Sequence, residues 1–567
     1  MLEKCGGRLG LKRKEDRLWV VLISICTLAT FLGLYNLRTL DDNRLTSWWW
    51  VLDGVTPFGF FLLLVSGVAL GYGISRLSWH GRWSVPLLSM AAFLVTAGLW
   101  QGPEVIVDAA RHFMQAKYLE LHGIGYFLAA WGNDIPAWTD MPLPPLMYGL
   151  IFQVFGESRL GVQILTSLLF SGTVVLTYFI GKTLWSRGLG LSAAMLLLGM
   201  PYLLAQVPLM MVDVAAMFFL TLAVLATVVA ISRGGPLLCM MAAVAITLAM
   251  LAKYSNWLML SVVPVIVLTH ARLGWKVVTL RAVAVAAGVL VLMGIYLYTK
   301  FDVVAGQITL LHSFQMPALG RWGESLLSTF FFQIHPFITI AAVLSVYLAI
   351  RKKDVKYAII SWMLLIVMML ELRRIRYMLV LLPMLALMAA YGLETIRRVE
   401  YRKFIAASTA VTAVLIVAVG YLPFLQGTSA INIKQAGEYL DSINAGTAEV
   451  HILPQTRSSV NPAVALPMLD LFTGQPLVYH ANTDAHGAQT IAGLPWRWTW
   501  EVSSTGYLPP ASDAGEAPTV VVIQSEADQP LPNYLAERID GYRLQKEFAE
   551  TSRVFRFRTF VRIYQRT

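Results

Sequence analysis

The sequence predicts a polytopic α-helical membrane protein with about 13 transmembrane helices and a C-terminal external α/β domain. Of its 567 residues, 57% are hydrophobic and only 14% are charged, a balance that soluble domains rarely reach. Several apolar runs of about 18–22 residues are long enough to cross a bilayer core of roughly 30 Å. After Leu425 no such run recurs, and the composition becomes polar.

Thirteen segments have the length and composition of a membrane span. They lie at about 18–37, 57–75, 84–100, 161–182, 189–206, 212–231, 236–251, 255–270, 281–299, 325–349, 356–371, 376–395 and 404–425. The first follows a basic tail and lacks a small-residue cleavage site, so we expect it to be retained rather than removed as a signal peptide.

The distribution of lysine and arginine predicts the orientation. The tail before the first span is basic, which places the N-terminus in the cytoplasm. Alternation then places the other basic loops on the same side, and the loop 101–160 and residues 426–567 on the outer side. The predicted location is the inner or plasma membrane, as an integral multi-pass protein.

Three regions follow from these spans. Residues 1–83 form a basic cytoplasmic tail and two N-terminal transmembrane helices, 84–425 form the main membrane domain with the external loop 101–160, and 426–567 form the external domain. In the last region, helical patterns alternate with strand patterns, which indicates an α/β domain. The helices are predicted at 433–444, 463–472 and 531–540, and the strands at 449–453, 519–523 and 554–564.

The net charge of +11 does not indicate a nucleic-acid partner, because the cations lie in short loops between spans. Cys5, Cys26 and Cys239 are far apart and predict neither a disulfide framework nor a zinc site. No spacing among the histidines indicates metal ligands.

The loop from Trp100 to Leu146 is the longest break in the first 425 residues. Its apolar spacing predicts an amphipathic helix at 104–121 lying on a surface. The Pro-Leu-Pro-Pro-Leu run at 142–146 is expected to delay the next helix until about Leu146. The loop is either a plain external connection or part of a reaction site.

Two carboxylates near the outer face are candidates for catalysis. Asp108 would act as a general base at a partly desolvated bundle mouth, or it is a solvated carboxylate that the helix dipole stabilises. Asp213, at the outer start of the sixth span, either faces the same cavity or serves as a helix cap.

Four cations at the same face are candidates for binding an anion. Arg373, Arg374 and Arg376 form a positive cluster on the side where cations are scarce. Lys253 lies in a short outer connection, where snorkelling along apolar surface is the alternative. Together these residues would provide a phosphate site.

These residues occur in an order that resembles the class C glycosyltransferases (GT-C), within them the protein O-mannosyltransferase and aminoarabinose-transferase group. The likeness rests on short motifs across about residues 84–395. They are Asp108-Ala-Ala-Arg-His112, Pro144-Pro145-Leu146 with Tyr148, Phe155-Gly156 with Arg159-Leu160, the run from Gly188 to Asp213, Lys253, and Arg373-Arg-Ile-Arg376-Tyr377 with Pro383. Two positions depart from the pattern: Ala109 replaces an expected Glu, and Leu143 replaces a Lys or His.

The resemblance implies an inverting glycosyltransferase that moves a sugar from a polyprenyl-phosphate carrier to an acceptor hydroxyl or phosphate on the outer side. Asp108 and Asp213 would be catalytic, and Lys253 and the three arginines would bind the carrier phosphate. His112, Tyr377 and Asp140 are expected to contact substrate. The acceptor would be a glycolipid, a cell-wall glycan or a protein. No cofactor is assigned, and a divalent metal is left open.

Two other functions are compatible with a polytopic membrane protein. A transporter of a lipid or anionic solute is expected to show paired half-repeats and charged, broken helices at mid-membrane depth. The sequence shows no such repeat. A non-catalytic scaffold would not need a cationic cluster on the external face.

Overall fold

The chain is described here from a computed structural model. The structure describes residues 2–43, 46–77, 83–100, 107–316, 324–427, 429–453, 462–479, 517–551 and 558–566. Residues 101–106, which include the predicted start of the loop helix, and residues 554–557 of the last predicted strand lie outside these ranges.

Helices make up most of the chain as far as residue 427, because apolar segments in a bilayer must satisfy their backbone groups internally. Those before residue 316 are α1 Leu2–Asn36, α2 Trp48–Val51, α3 Pro57–Arg76, α4 Ser84–Ala97, α5 Val107–Ala130, α6 Leu143–Phe155, α7 Arg159–Leu184, α8 Arg187–Leu197, α9 Pro201–Gln206, α10 Val212–Arg233, α11 Pro236–Ala252, α12 Tyr254–Met259, α13 Val262–Thr269, α14 Trp275–Thr299 and α15 Phe301–Leu310. Those after residue 324 are α16 Pro336–Lys352, α17 Tyr357–Met369, α18 Ile375–Met378, α19 Leu382–Leu393, α20 Val399–Ile416, α21 Leu422–Gly427, α22 Ile431–Ser442, α23 Pro462–Asp470 and α24 Asn533–Arg538.

Within the described residues, eight helical segments are long and apolar enough to cross a membrane. They are Leu18–Asn36, Pro57–Arg76, Arg159–Leu184, Val212–Arg233, Tyr254–Leu273, Trp275–Thr299, Ile375–Leu393 and Val399–Gly427. Each of the thirteen predicted segments overlaps a helix of the structure. The chain is therefore an integral multi-pass membrane protein, while the count of thirteen crossings stays a prediction.

Glycines allow several of these helices to approach closely, as in other membrane bundles. A Cβ added at Gly71 in α3 would lie 2.6 Å from the Ser408 backbone in α20. At the crossing of α16 and α19, a Cβ at Gly392 would lie 2.1 Å from the carbonyl oxygen of Ala341. Side chains larger than hydrogen do not fit at these crossings.

The loop between α4 and α7 is largely helical and is packed into the molecule. Helix α5 is interrupted at Gly123, which has a φ of +80°, and it buries Ala109, Phe113 and Ala116. The expectation that the next helix waits until about Leu146 is wrong, because α6 begins at Leu143. Prolines are tolerated in the first turn of a helix, because the backbone N–H groups of that turn have no intrahelical acceptor and proline loses no hydrogen bond there.

The C-terminal region forms the predicted α/β domain around a five-stranded sheet. Its strands are β1 Ala448–Ile452, β2 Leu477–Tyr479, β3 Thr519–Gln524, β4 Tyr542–Thr551 and β5 Arg558–Arg566. Their order is β2-β1-β3-β5-β4, with β1 parallel to β2 and β3, and β5 antiparallel to β3 and β4. The three predicted helices and the strands β1, β3 and β5 are present, whereas β2 and β4 were not predicted.

One apolar core joins this domain to the membrane region through α5. Ala109 and Phe113 of α5 belong to the same buried cluster as Leu466 of α23 and Ile563 of β5. At its edge, Lys117 Nζ of α5 lies 2.7 Å from the Glu157 carboxyl and forms an ion pair with Asp470 of α23. Burial and the nearby charge of Asp470 raise the pKa of Glu157 to about 8, although Lys117 opposes this shift.

The glycine contact between α3 and α20 gives a matched pair of substitutions. Gly71→Ala places a methyl group against the Ser408 backbone, so we expect the free energy of unfolding to fall by about 1–3 kcal/mol. Gly73→Ala, in the same helix, has no atom within 4 Å of the added Cβ, and we expect a neutral or slightly stabilising effect of up to about 1 kcal/mol. Unfolding in detergent, followed by tryptophan fluorescence, measures both. Equal effects of the two changes would contradict the close crossing.

The Glu157 carboxyl gives a pH-dependent contribution to stability. Its pKa is about 8 in the folded protein, against a reference value of 4.5 for the unfolded chain. Between these two pH values the carboxyl is therefore protonated in the folded protein and ionised in the unfolded chain. Its contribution is complete below about pH 4.5 and is lost as the pH rises through 8. We expect Glu157→Gln to flatten this part of the stability profile in melting measurements. Glu438→Gln, at an exposed carboxylate on α22, should leave the profile as in the unchanged protein.

Candidate active site at the mouth of the helix bundle

Four segments that are distant in the sequence meet at one end of the bundle. Asp108 lies in the first turn of α5, and Asp213 lies in the first turn of α10. Lys253 is the single extended residue between α11 and α12, and Arg376 lies in the short helix α18. Each side chain thus comes from a helix end or a break between helices, where a polar group reaches the bundle mouth without crossing apolar surface.

Arg376 joins the two candidate carboxylates. Its Nη1 lies 2.6 Å from Oδ2 of Asp108, and its Nε lies 3.2 Å from Oδ2 of Asp213. The guanidinium group is suited to this role because it presents several N–H donors in a fixed plane. Asp108 and Asp213 are therefore held on two edges of one cation.

Lys253 completes the pairing of Asp213. Its Nζ donates to Oδ1 of Asp213 at 2.5 Å, and the Asp213 side chain is only 3% exposed. The carboxylate also lies at a helix N-terminus, which favours negative charge. Tyr377 lies beside both cationic segments, with its ring 6.0 Å from Lys253 Nζ and 5.6 Å from the guanidinium carbon of Arg374.

Arg111, for which the sequence predicted no role, extends the network in the other direction. Its Nη2 lies 3.0 Å from Oδ1 of Asp108, one turn away on α5. Its Nε and Nη2 donate to the two oxygens of Asp140 at 2.6 and 3.2 Å. The i, i+3 spacing of Asp108 and Arg111 was the signal in the sequence that could have revealed the pair.

Acids and cations alternate along this chain of contacts, which we call the charge chain. Its members in order are Asp140, Arg111, Asp108, Arg376, Asp213 and Lys253. Three carboxylates balance three cations, so the charge chain has no net charge. Burial raises the pKa of Asp108, but Arg376 and Arg111 outweigh it and hold the pKa well below its usual range. Asp108 is thus ionised and fully paired.

Other contacts hold the segments that carry these groups. The Tyr148 hydroxyl in α6 donates to the Met211 carbonyl oxygen at 2.8 Å, just before Asp213. The Gln307 amide in α15 donates to the Asp140 carbonyl oxygen at 2.9 Å and accepts from the Tyr254 hydroxyl at 2.6 Å. The positions of the carboxylates therefore depend on helices that carry no charge at the site.

The remaining predicted site residues are placed differently. Arg373 points to the exposed rim, where its guanidinium lies 3.3 Å from Glu371, and it does not contact the charge chain. His112 is buried in α5 with Nδ1 3.2 Å from the Gln115 side chain, and its Nε2 has no hydrogen-bond partner among the residues that the structure describes. Burial lowers the pKa of His112, so its imidazole is neutral.

The charge chain does not fit a divalent metal ion as it stands. Both oxygens of Asp108 and both oxygens of Asp213 are engaged by protein cations. Within the described ranges, no group of three or more His, Cys, Asp or Glu side chains could hold an ion.

Known proteins resemble this chain in part of the sequence and in the overall architecture. Residues 136–296 match the family model for dolichyl-phosphate-mannose-protein mannosyltransferase, and this segment contains Asp140, Asp213 and Lys253. Among curated protein sequences, none matches the chain.

Solved structures give the broader likeness. ArnT from Cupriavidus metallidurans bound to undecaprenyl phosphate has a TM-score of 0.52 and 11% identity, covering 85% of this chain and 98% of ArnT. Its apo state gives a TM-score of 0.51 at 11% identity, with 84% and 97% covered. The oligosaccharyltransferase AglB from Archaeoglobus fulgidus is less similar, with a TM-score of 0.43 and 12% identity, covering 68% of this chain and 64% of AglB.

The family model and the ArnT architecture agree with each other. At 11% identity the ArnT structures establish the fold, and the family model covers the segment that brings Asp213 and Lys253 to the bundle mouth. The ArnT structures thus confirm the predicted fold class, a helical membrane protein with a C-terminal α/β domain, and the family match agrees with it.

Proposed function

We propose that the chain is an inverting glycosyltransferase that moves a sugar from a polyprenyl-phosphate carrier to an acceptor hydroxyl or phosphate. The observation that carries this proposal is the charge chain, which holds a carboxylate and several cations at one mouth of the bundle. A transfer from a lipid phosphate needs both: an acceptor for a proton and cations for the departing phosphate.

The reaction is a single displacement. The acceptor oxygen attacks the anomeric carbon, and its proton passes to Asp108. The bond between the anomeric carbon and the phosphate oxygen breaks, and its electron pair stays on the phosphate. Lys253, Arg374 and Arg376 stabilise the charge that develops there, in a site partly closed to water. Attack opposite to the leaving phosphate inverts the anomeric carbon.

Asp213 acts on this reaction by holding two of the cations. Its oxygens contact Lys253 and Arg376 at 2.5 and 3.2 Å, so it fixes where the positive charge lies. Asp140 holds Arg111 in the same way on the other side of Asp108. The predicted substrate contacts of His112, Tyr377 and Arg373 remain part of the proposal, with Arg373 meeting the carrier at the rim.

The substrate classes follow from the same comparisons. The structure of ArnT bound to undecaprenyl phosphate supports a polyprenyl phosphate as the carrier, because the two proteins share a fold. The acceptor is a glycolipid, a cell-wall glycan or a protein. The lipid bilayer is the third partner, since the long carrier chain requires an apolar path beside the bundle.

The site is proposed to face the extracytoplasmic side. Basic loops lie at the helix ends opposite to the charge chain, and the positive-inside rule places such loops in the cytoplasm. The C-terminal domain packs on α5, next to the charge chain, so it lies on the same side as the site.

Removal of the proposed base gives the first test of this function. Asp108→Asn keeps the size of the side chain but cannot accept a proton, so we expect turnover to fall by roughly 10²–10⁴-fold. Sugar transfer from a polyprenyl-phosphate donor to membrane acceptors is the measurement. Asp134→Asn, at an exposed carboxylate of the same loop, is the control and should keep its activity. Unchanged turnover in Asp108→Asn would exclude this residue as the base.

The orientation is tested separately. A reporter that is active only outside the cytoplasm, fused at residue 430, should be active, while the same reporter fused at residue 354, in the basic connection after α16, should be inactive. The reverse pattern would invert the topology and place the charge chain in the cytoplasm.

A further inference from the structure

We propose that Arg376 is an exchangeable cation, which Asp108 holds in the free protein and which the carrier phosphate takes over when the donor binds. Asp108 is thereby released to act as a base only in the donor complex, so the donor binds before the acceptor reacts. This inference rests on the proposed function and adds to it the order of events and the contact that enforces the order.

The exposure of the two carboxylates indicates which contact of Arg376 opens. The Asp108 side chain is 25% exposed and Arg376 is 18% exposed, whereas Asp213 is 3% exposed. The Asp108–Arg376 contact is therefore the one that an incoming phosphate can reach. The contact between Arg376 Nε and Asp213 lies deeper and uses a different edge of the guanidinium group.

The other partners of these groups are less able to exchange. Asp213 is also bound by Lys253 at 2.5 Å, so it retains a cation whatever Arg376 does. Arg111, the second partner of Asp108, makes two hydrogen bonds to Asp140. Arg111 therefore stays in place and keeps Asp108 oriented after Arg376 has turned to the phosphate.

Exchange of partners also avoids an unpaired buried charge. A buried cation that loses its partner is strongly destabilised, but replacing one oxyanion by another keeps Arg376 paired throughout. The charge chain is neutral before the donor arrives, so a phosphodiester brings one negative charge that its cations must share. Asp108 is the carboxylate that loses a cation, and a carboxylate with fewer cations beside it is a stronger base.

A double-mutant cycle with undecaprenyl phosphate tests the exchange. Asp108→Asn removes the competitor for Arg376, so we expect undecaprenyl phosphate to bind about tenfold more tightly while transfer is lost. In an Arg376→Gln background the same Asp108→Asn change should alter the affinity by less than about twofold, because no shared cation remains. Binding is measured by native mass spectrometry or calorimetry on the full chain in detergent micelles.

Two results of the cycle itself would overturn the exchange. Equal tightening by Asp108→Asn in both backgrounds would show plain charge repulsion, and no tightening in either would show that Asp108 and the phosphate do not compete. Asp140→Asn is the matched control, because it neutralises a carboxylate of the charge chain that contacts Arg111 instead of Arg376. Tightening by Asp140→Asn as large as that of Asp108→Asn would also contradict the exchange.

The cycle separates this inference from the proposed function. If the unchanged protein does not bind undecaprenyl phosphate at all, the carrier proposal fails and the exchange fails with it. If it binds and the cycle shows no coupling, only the exchange fails. Arg376→Lys replaces Arg376→Gln if the latter does not fold, since one ammonium lacks the second edge needed to hold both carboxylates, and the coupling should again be reduced.

Discussion

Arg376 must stay paired, because a guanidinium group that is mostly buried at the end of a helix bundle is costly to leave alone. It meets this need with two carboxylates, Asp108 from the loop helix α5 and Asp213 from the start of α10. These three residues come from distant parts of the sequence, so their ion pairs form only when the loop is seated on the bundle. The geometry of the site therefore depends on the position of the loop, and neither can change without the other.

Helix α5 carries this constraint to the C-terminal domain. One side of the helix presents Asp108 and Arg111 to the charge chain, and Ala109 and Phe113 lie in the core shared with the domain. Further along, Lys117 is paired with Asp470 of α23. A shift of the domain would move α5 and with it the carboxylate proposed as the base, which gives the domain a structural role in the site in addition to any contact with an acceptor.

Much of this arrangement could be predicted from the sequence, for physical reasons that also explain the failures. Long apolar runs identify membrane helices because few other structures tolerate them. Asp213 and Lys253 could be named because each is an isolated charge beside long apolar runs, on the predicted outer side. Arg373 could not be separated from Arg376 from the sequence, because only the fold places Arg376 in α18 against the two carboxylates and leaves Arg373, before that helix, at the rim. Strand β4 was not predicted because a register shift between Leu544 and Lys546 interrupts the alternation of its side chains between the two faces of the sheet.

The departure at Ala109 has a physical explanation in the structure. This residue is fully buried in the core between α5 and the C-terminal domain, where a glutamate would lose its hydration without gaining a cation. The carboxylate next to it, Asp108, is instead stabilised by two arginines whose positions the fold determines. Arg111, which Asp140 holds in place, provides positive charge beside Asp108 that needs little reorganisation during the reaction, which is the property that makes electrostatic stabilisation effective. In this chain, the burial of Ala109 and the pairing of Asp108 with Arg111 and Arg376 both follow from the way α5 is seated between the bundle and the C-terminal domain.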